Sequence, residues 1–150
     1  MNRRVVFGPS GIPALVFAAL VFAVSVSSCY DPNFASSVTS VRFDRSSMDL
    51  GRSGDYLDTG DLVLALRPSG ATGEVMNIEW IPADGSLIEF LPDAPPSAFD
   101  GEGRAVVTVL FAPFADLGET GKESVGLTAR VDLYDGSSHF ALCTIHLHDD

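Results

Sequence analysis

From residue 38 onward the apolar positions of this chain recur with a period of two. Val125, Leu127, Ala129, Val131 and Leu133 alternate with Thr128, Arg130 and Asp132. That is the pattern of a strand with one face in a core and one in water. Residues 138–148 repeat it, with Ala141, Cys143, Ile145 and Leu147 on one side. Residues 61–67 place Leu62, Leu64 and Leu66 together, and residues 76–80 place Met76, Ile78 and Trp80 opposite Asn77 and Glu79. Three further segments read as short strands: 38–43, with Val41 and Phe43 on one face; 86–91; and 104–112, rich in β-branched residues. No stretch after residue 38 shows an amphipathic helical period. Turn signals separate the runs, among them Arg67-Pro68-Ser69-Gly70, Asp100-Gly101-Glu102-Gly103 and Gly118-Glu119-Thr120-Gly121. Leu133-Tyr134-Asp135-Gly136-Ser137-Ser138 reads as a hairpin joining the last two strands. About seven short strands with frequent turns predict an all-β chain, an antiparallel β-sandwich whose sheets each keep one wet face.

The N-terminus follows other rules. Arg3 and Arg4 precede a stretch without charge that runs from Val5 to Tyr30, and Ile12 to Val24 is apolar but for Pro13. The run is shorter than the roughly 20 residues a membrane span needs. A basic start, an apolar middle and small residues at the end make a signal-peptide pattern. The end, Val26-Ser27-Ser28-Cys29, resembles the bacterial lipobox. The resemblance implies a signal peptide over residues 1–28, diacylglyceryl attachment to the Cys29 sulfur, and cleavage before Cys29. Several acyl chains give a stable anchor where one does not. The alternative is an uncleaved N-terminal anchor helix with Cys29 incidental. Position 30 is Tyr and not Asp; in enterobacteria an Asp there resembles an inner-membrane retention signal, so an outer-membrane address is favoured. Residues 29–37, with Asp31-Pro32-Asn33 and Ala35-Ser36-Ser37, read as a lipidated Cys and flexible tether, and residues 38–150 as the domain.

Composition narrows the function classes. The 150 residues lose 28 on cleavage, and the remaining 122 suffice for one core without metal or disulfide support. All 20 acidic residues and seven of the nine basic ones follow position 28, giving the exported part a net charge of −13. Such a domain repels nucleic acid and anionic lipid surfaces. With Cys29 lipidated, Cys143 has no partner in the chain; a Cys29–Cys143 bridge becomes available only if the signal is not processed.

Several local matches occur in one order along residues 38–148. They are Val38-Thr39-Ser40-Val41, Ser46-Ser47-Met48-Asp49-Leu50, Leu66-Arg67-Pro68-Ser69-Gly70-Ala71-Thr72, Ile78-Glu79-Trp80, and the closing Leu127-Thr128-Ala129-Arg130-Val131 with Ala141-Leu142-Cys143-Thr144-Ile145. This order resembles the bacterial immunoglobulin-like domain of group 2 type, found in intimin- and invasin-like surface proteins. The resemblance implies an Ig-like sandwich and a role in binding or adhesion, and it carries no catalytic residues to transfer. The chain departs from the pattern at residues 55–60 and 92–123, where Phe99, Phe111 and Phe114 are extra aromatics.

Candidates for chemistry are few. His146 and His148 share a strand face, with Asp150 next in step; imidazoles and a carboxylate can hold zinc, copper or nickel. A polar outer face on a last strand is the preferred reading, since two His at a frayed terminus lack a rigid fourth ligand. Asp44, Asp49, Asp55, Asp58 and Asp61 crowd one stretch, and Asp100 and Glu102 another. Calcium uses such loops, but the spacing is not that of an EF-hand, and turn carboxylates often bond their own backbone. The run 118–123 fails as a phosphate loop, with Asp116 in place of the first Gly and Glu123 in place of Ser or Thr. No G-x-S-x-G occurs. Cys143 and Trp80 read as core residues. Residues 92–116 read as a long loop over the sandwich end, the alternative being an exposed apolar patch for a partner. The expectation is therefore a non-enzymatic, lipid-anchored envelope protein, needing no metal or cofactor, that displays an Ig-like module to a protein or glycan. The alternative is a periplasm-facing structural or assembly lipoprotein.

Overall fold

The structure, a computed structural model, describes residues 35–149. The expected signal peptide, Cys29 and Asp150 lie outside the described residues. Among the described residues nine strands form two sheets: β1 (Ser40–Phe43), β2 (Ser47–Ser53), β3 (Tyr56–Leu57), β4 (Thr59–Arg67), β5 (Val75–Pro82), β6 (Ile88–Leu91), β7 (Arg104–Phe111), β8 (Lys122–Leu133) and β9 (Ser138–Asp149). One sheet has the order β1-β4-β7-β6 and the other β3-β2-β9-β8-β5.

The period-two reading holds across the core. Leu62, Leu64 and Leu66 of β4, Val107 and Val109 of β7, Val125 to Leu133 of β8 and Cys143 to Leu147 of β9 all point into one cluster between the sheets. The buried residues among those described are all apolar, so any chemistry of the domain has to sit on its surface.

Two details differ from the expectation. Met76 was placed with Ile78 and Trp80, yet it is 56% exposed while they are buried. The β5–β8 register shifts between Val75 and Asn77. Such a bulge inserts one residue and turns its side chain to the other face. The expected segment 38–43 and the next, 46–50, prove to be one strand divided between the sheets. β1 pairs antiparallel with β4, whereas β2 pairs parallel with β9, the one parallel ladder among the described residues. Asp44 makes the crossing. Its N–H donates to Val63 O at 2.9 Å and its carboxylate accepts the Val63 N–H at 3.0 Å. Two residues later Ser46 O accepts the Thr144 N–H of the other sheet at 2.9 Å. With the two-residue β3, this division raises the count from about seven to nine.

Residues 35–37 are held on the domain. Ser36 Oγ and Ser37 N–H both donate to Glu74 Oε2, at 2.6 and 2.7 Å, and the Ser36 N–H donates to Asp135 Oδ2 at 3.1 Å. Both carboxyls sit below their ordinary pKa, chiefly through the Ser36 hydroxyl for Glu74 and the Ser137 hydroxyl for Asp135.

Candidate functional site: the outer face of the five-stranded sheet

β9 is the middle strand of the second sheet, and its even-numbered residues from Phe140 to His148 point away from the core. The register sets Asp49 of β2, His146 and Ser124 of β8 in one row, and Gly51, His148 and Lys122 in the next. Direct neighbours across strands stand about 5 Å apart, so these rows are contact rows. Asp49, Lys122, Glu123, Ser124, His146 and His148 line an open depression of about 540 Å³. Ser124 Oγ and His146 Nδ1 share a hydrogen bond of 2.8 Å. The His148 ring lies over Gly51, where an added Cβ would stand 2.9 Å from His148 Nε2 and 3.0 Å from Asp58 Oδ2. Gly51 also donates its N–H to Asp58 Oδ2 at 2.9 Å. A mid-strand glycine often marks such a close approach, a cue that the sequence carried and that the expectations above did not use.

His146 and His148 therefore share a face as expected. Among the described residues, however, no three His, Cys, Asp or Glu side chains gather to hold a metal ion. The carboxylates weighed for calcium do not converge either. Asp44 binds Arg45 and the Val63 backbone, Asp58 the Gly51 N–H, Asp61 the Thr108 hydroxyl, and Asp100 the N–H groups of Glu102 and Arg104. Each caps its own turn or ladder. Burial raises the Asp44 carboxyl, but the Val63 N–H and Arg45 outweigh it and leave it below its ordinary pKa.

Farther along β9 the same face turns apolar. Phe140 and Leu142 are 62% and 63% exposed, opposite Arg130 and Thr128. Together they make a small apolar patch at the end of an otherwise polar outer face.

Two other sequence features are accounted for by packing. In the 92–116 segment, Pro96 O accepts the Trp80 Nε1–H at 2.7 Å and Ser97 O accepts the Ile78 N–H at 3.0 Å. Phe99 packs on the core and Phe111 is fully buried. Phe114, by contrast, is 98% exposed. Cys143 is buried, and that burial pushes its thiol above the ordinary value. Arg52 was missed altogether. Its guanidinium forks onto Asp149 at 2.6 and 2.7 Å, donates to Ala115 O at 2.9 Å, and stacks 4.7 Å over the Phe111 ring. Nothing in the local sequence signals a clamp between residues 97 positions apart.

No protein-family model matches the sequence, and no curated protein matches it. Among solved structures, the chain is similar to the ASH/PapD-like domain 7 of human CEP192, at 12% identity and a TM-score of 0.52 over 100% of this chain and 96% of that one. It is also similar to AggA, the major subunit of aggregative adherence fimbriae type I from Escherichia coli, at 15% identity and a TM-score of 0.43 over 75% and 94% of the two chains. A third is the sialic acid binding region of a Streptococcus sanguinis SK1 adhesin, at 12% identity and a TM-score of 0.43 over 89% of this chain and 41% of that one. At 12% identity the likeness to the CEP192 domain speaks for the fold alone. That fold, as expected, is an Ig-like β-sandwich.

Proposed function

We propose that this chain is a lipid-anchored protein of the bacterial cell envelope that displays its Ig-like domain as a binding module. The observation that carries the reading is the order of parts. Arg3-Arg4, the apolar run and Val26-Ser27-Ser28-Cys29 stand directly ahead of one sandwich with its own apolar core. Acyl chains on Cys29 would hold the protein at a membrane whose surface the strongly acidic domain itself avoids. The role is binding and not catalysis. Supporting this, the acid and base groups of the outer face line an open depression, where water competes for every hydrogen bond and no low-dielectric pocket sharpens their chemistry. An acidic domain with an open polar depression beside exposed Phe140 and Leu142 suits a protein or glycan ligand that contacts both.

Growth with a clickable palmitate analogue tests the anchor: the wild-type chain takes the label and Cys29→Ala does not. Equal labelling of both would refute it. Protease treatment of intact and lysed cells then tests display. Digestion on intact cells supports an outward-facing adhesion module, to be followed by protein and glycan panels. Protection until lysis replaces display with the second reading, a periplasm-facing assembly lipoprotein. In that reading the exposed Phe114 is a side chain that the assembly partner would cover.

A further inference from the structure

We infer that Glu74 and Asp135 clasp the lipid tether to one end of the sandwich, so that the domain stands on that end and turns the His146–His148 depression away from the bilayer. The inference deepens the binding-module reading by fixing which end of the module is displayed, and it rests on the lipid anchor of that reading.

The clasp holds two consecutive residues. Glu74 Oε2 accepts the Ser36 hydroxyl at 2.6 Å and the Ser37 N–H at 2.7 Å, and its Oε1 accepts the Ser37 hydroxyl at 2.7 Å. Asp135 Oδ2 accepts the Ser36 N–H at 3.1 Å. Backbone and side chain of both serines are gripped together, and hydrogen bonds to ionised acceptors are the stronger kind. The chain then enters the sandwich. Val38 is buried, and the Thr39 N–H donates to Arg67 O at 2.8 Å. Residues bound in this way cannot swivel as a free linker does.

The clasp also has a definite place. The Glu74 C=O accepts the Tyr134 N–H at 3.1 Å, at the β8–β9 hairpin to which Asp135 belongs. One ladder joins β8 and β9 from Asp132–Ser138 at this end to Lys122–His148 at the other. Ten residue steps separate Ser138 from His148, a rise of roughly 33 Å at about 3.3 Å per residue. The depression lined by Asp49, Lys122, Ser124, His146 and His148 therefore lies at the end opposite the clasp.

Reach decides what this means at a membrane. Seven residue steps run from Cys29 to Ser36, and a chain covers at most about 3.4 Å per step, roughly 24 Å in all. That limit is shorter than the roughly 33 Å between the hairpin end and the depression. While the clasp is closed, the domain cannot be turned end over end to set the depression flat on the bilayer. A ligand of the depression is then met on the side away from the anchoring membrane. Local charge agrees, since Lys122 stands beside Asp49 and Glu123 and offers anionic headgroups no net attraction.

The test uses the lipidated protein in phosphatidylcholine vesicles that carry a headgroup-linked nitroxide quencher. A fluorophore is attached through Tyr134→Cys at the hairpin or through Lys122→Cys at the far end. Cys143 is buried and Cys29 is acylated, so the introduced thiol takes the label. Expected is at least about threefold stronger quenching at position 134 than at position 122, because reach keeps the far end off the surface. Glu74→Ala removes three of the four bonds and should cut that contrast at least about twofold. Ser36→Ala combined with Ser37→Ala should cut it as well, and decides the matter if circular dichroism shows Glu74→Ala unfolded. Equal quenching at the two positions would overturn the inference. So would stronger quenching at position 122, the result that a headgroup-binding depression would give. A contrast left unchanged by the folded clasp variants would overturn it too, by showing that the clasp does not set orientation. Failure of the anchor looks different: the wild-type chain would float with the vesicles no better than Cys29→Ala, and the anchored reading and this inference would fall together.

Discussion

Trp80→Phe isolates what holds the 92–99 segment against the sheet. Trp80 is the single tryptophan, 9% exposed, and its ring meets Phe43 of the opposite sheet at 6.0 Å between centroids. Phenylalanine keeps an aromatic ring but loses the Nε1–H donated to Pro96 O at 2.7 Å. A neutral hydrogen bond of this kind contributes about 1 kcal/mol net. Pro96 is only half-buried, so water can replace the lost donor and the cost stays near that figure. The smaller ring also buries roughly 40 Å² less apolar surface, worth about 1 kcal/mol at about 25 cal/mol per Å². The sum, about 2 kcal/mol, lowers Tm by about 8 °C in a domain of this size. Urea denaturation followed by far-UV circular dichroism measures it, since the variant has no tryptophan to report. A second readout separates bond from bulk. The Ile78 N–H donates to Ser97 O on the same segment, so its exchange should accelerate more than that of core amides in β8. A stability change under about 0.5 kcal/mol, with Ile78 exchange unmoved, would refute the reasoning. Phe99 packing would then be what seats the segment.

Four further outcomes follow from other sites. Gly103 has φ of +73° and an added Cβ would stand 2.7 Å from Ser69 O, so Gly103→Ala should cost about 2–3 kcal/mol. Gly70→Ala, with open space around it, should change urea stability by less than about 0.5 kcal/mol. Glu74 and Asp135 have carboxyls below their ordinary 4.5 and 3.8. Their folded forms release protons more readily than the unfolded ones, so their stabilisation is complete above those values and is lost as pH falls through and below them. An acid titration of Tm should show this loss, and Glu74→Gln should make its acid limb shallower. Cys143 is buried with its thiol raised; iodoacetamide should modify it no faster than the domain unfolds, and rapid labelling of native protein would contradict its place in the core.

The core was legible in the sequence wherever alternation was unbroken. Leu62 to Leu66, Val125 to Leu133 and Ala141 to Leu147 all fall on the face that the pattern assigned. Where a backbone irregularity intervened, parity misled: the bulge at Met76 reverses a face with no composition cue, because it depends on how β8 aligns alongside. The division of the first strand was equally hidden. Asp44-Arg45-Ser46 reads as a polar break, but only the partners Val63 and Thr144 show that the break changes sheets. For the candidate site, the shared face of His146 and His148 was legible. Their neighbours Asp49, Gly51 and Lys122 come from other strands, and Asp58 from the link between β3 and β4, so only the pairing register and the Gly51–Asp58 hydrogen bond could assemble them. Phe140 was read simply as part of the last strand, and its exposure depends on the face that β9 turns outward.

The remaining edges of the sandwich sharpen the significance of that exposure. Sheet edges left open invite unwanted pairing, and proteins blunt them with short strands, coverings or charge. β3 has two residues, and β1 and β6 have four each. The longer β5 is covered where Ile78 donates to Ser97 O and Trp80 to Pro96 O. Residues 138–143 are different. They belong to the longest pair of strands in the domain, have a ladder on one side only, and present Phe140 and Leu142 to solvent. They are sheltered by β1, which belongs to the other sheet and packs alongside β9 without joining its ladder. Residues 38–150 carry a net charge of −12, which discourages two copies from meeting there. An edge sheltered by packing instead of pairing, on a domain whose charge repels its own copies, keeps a long strand from aggregating.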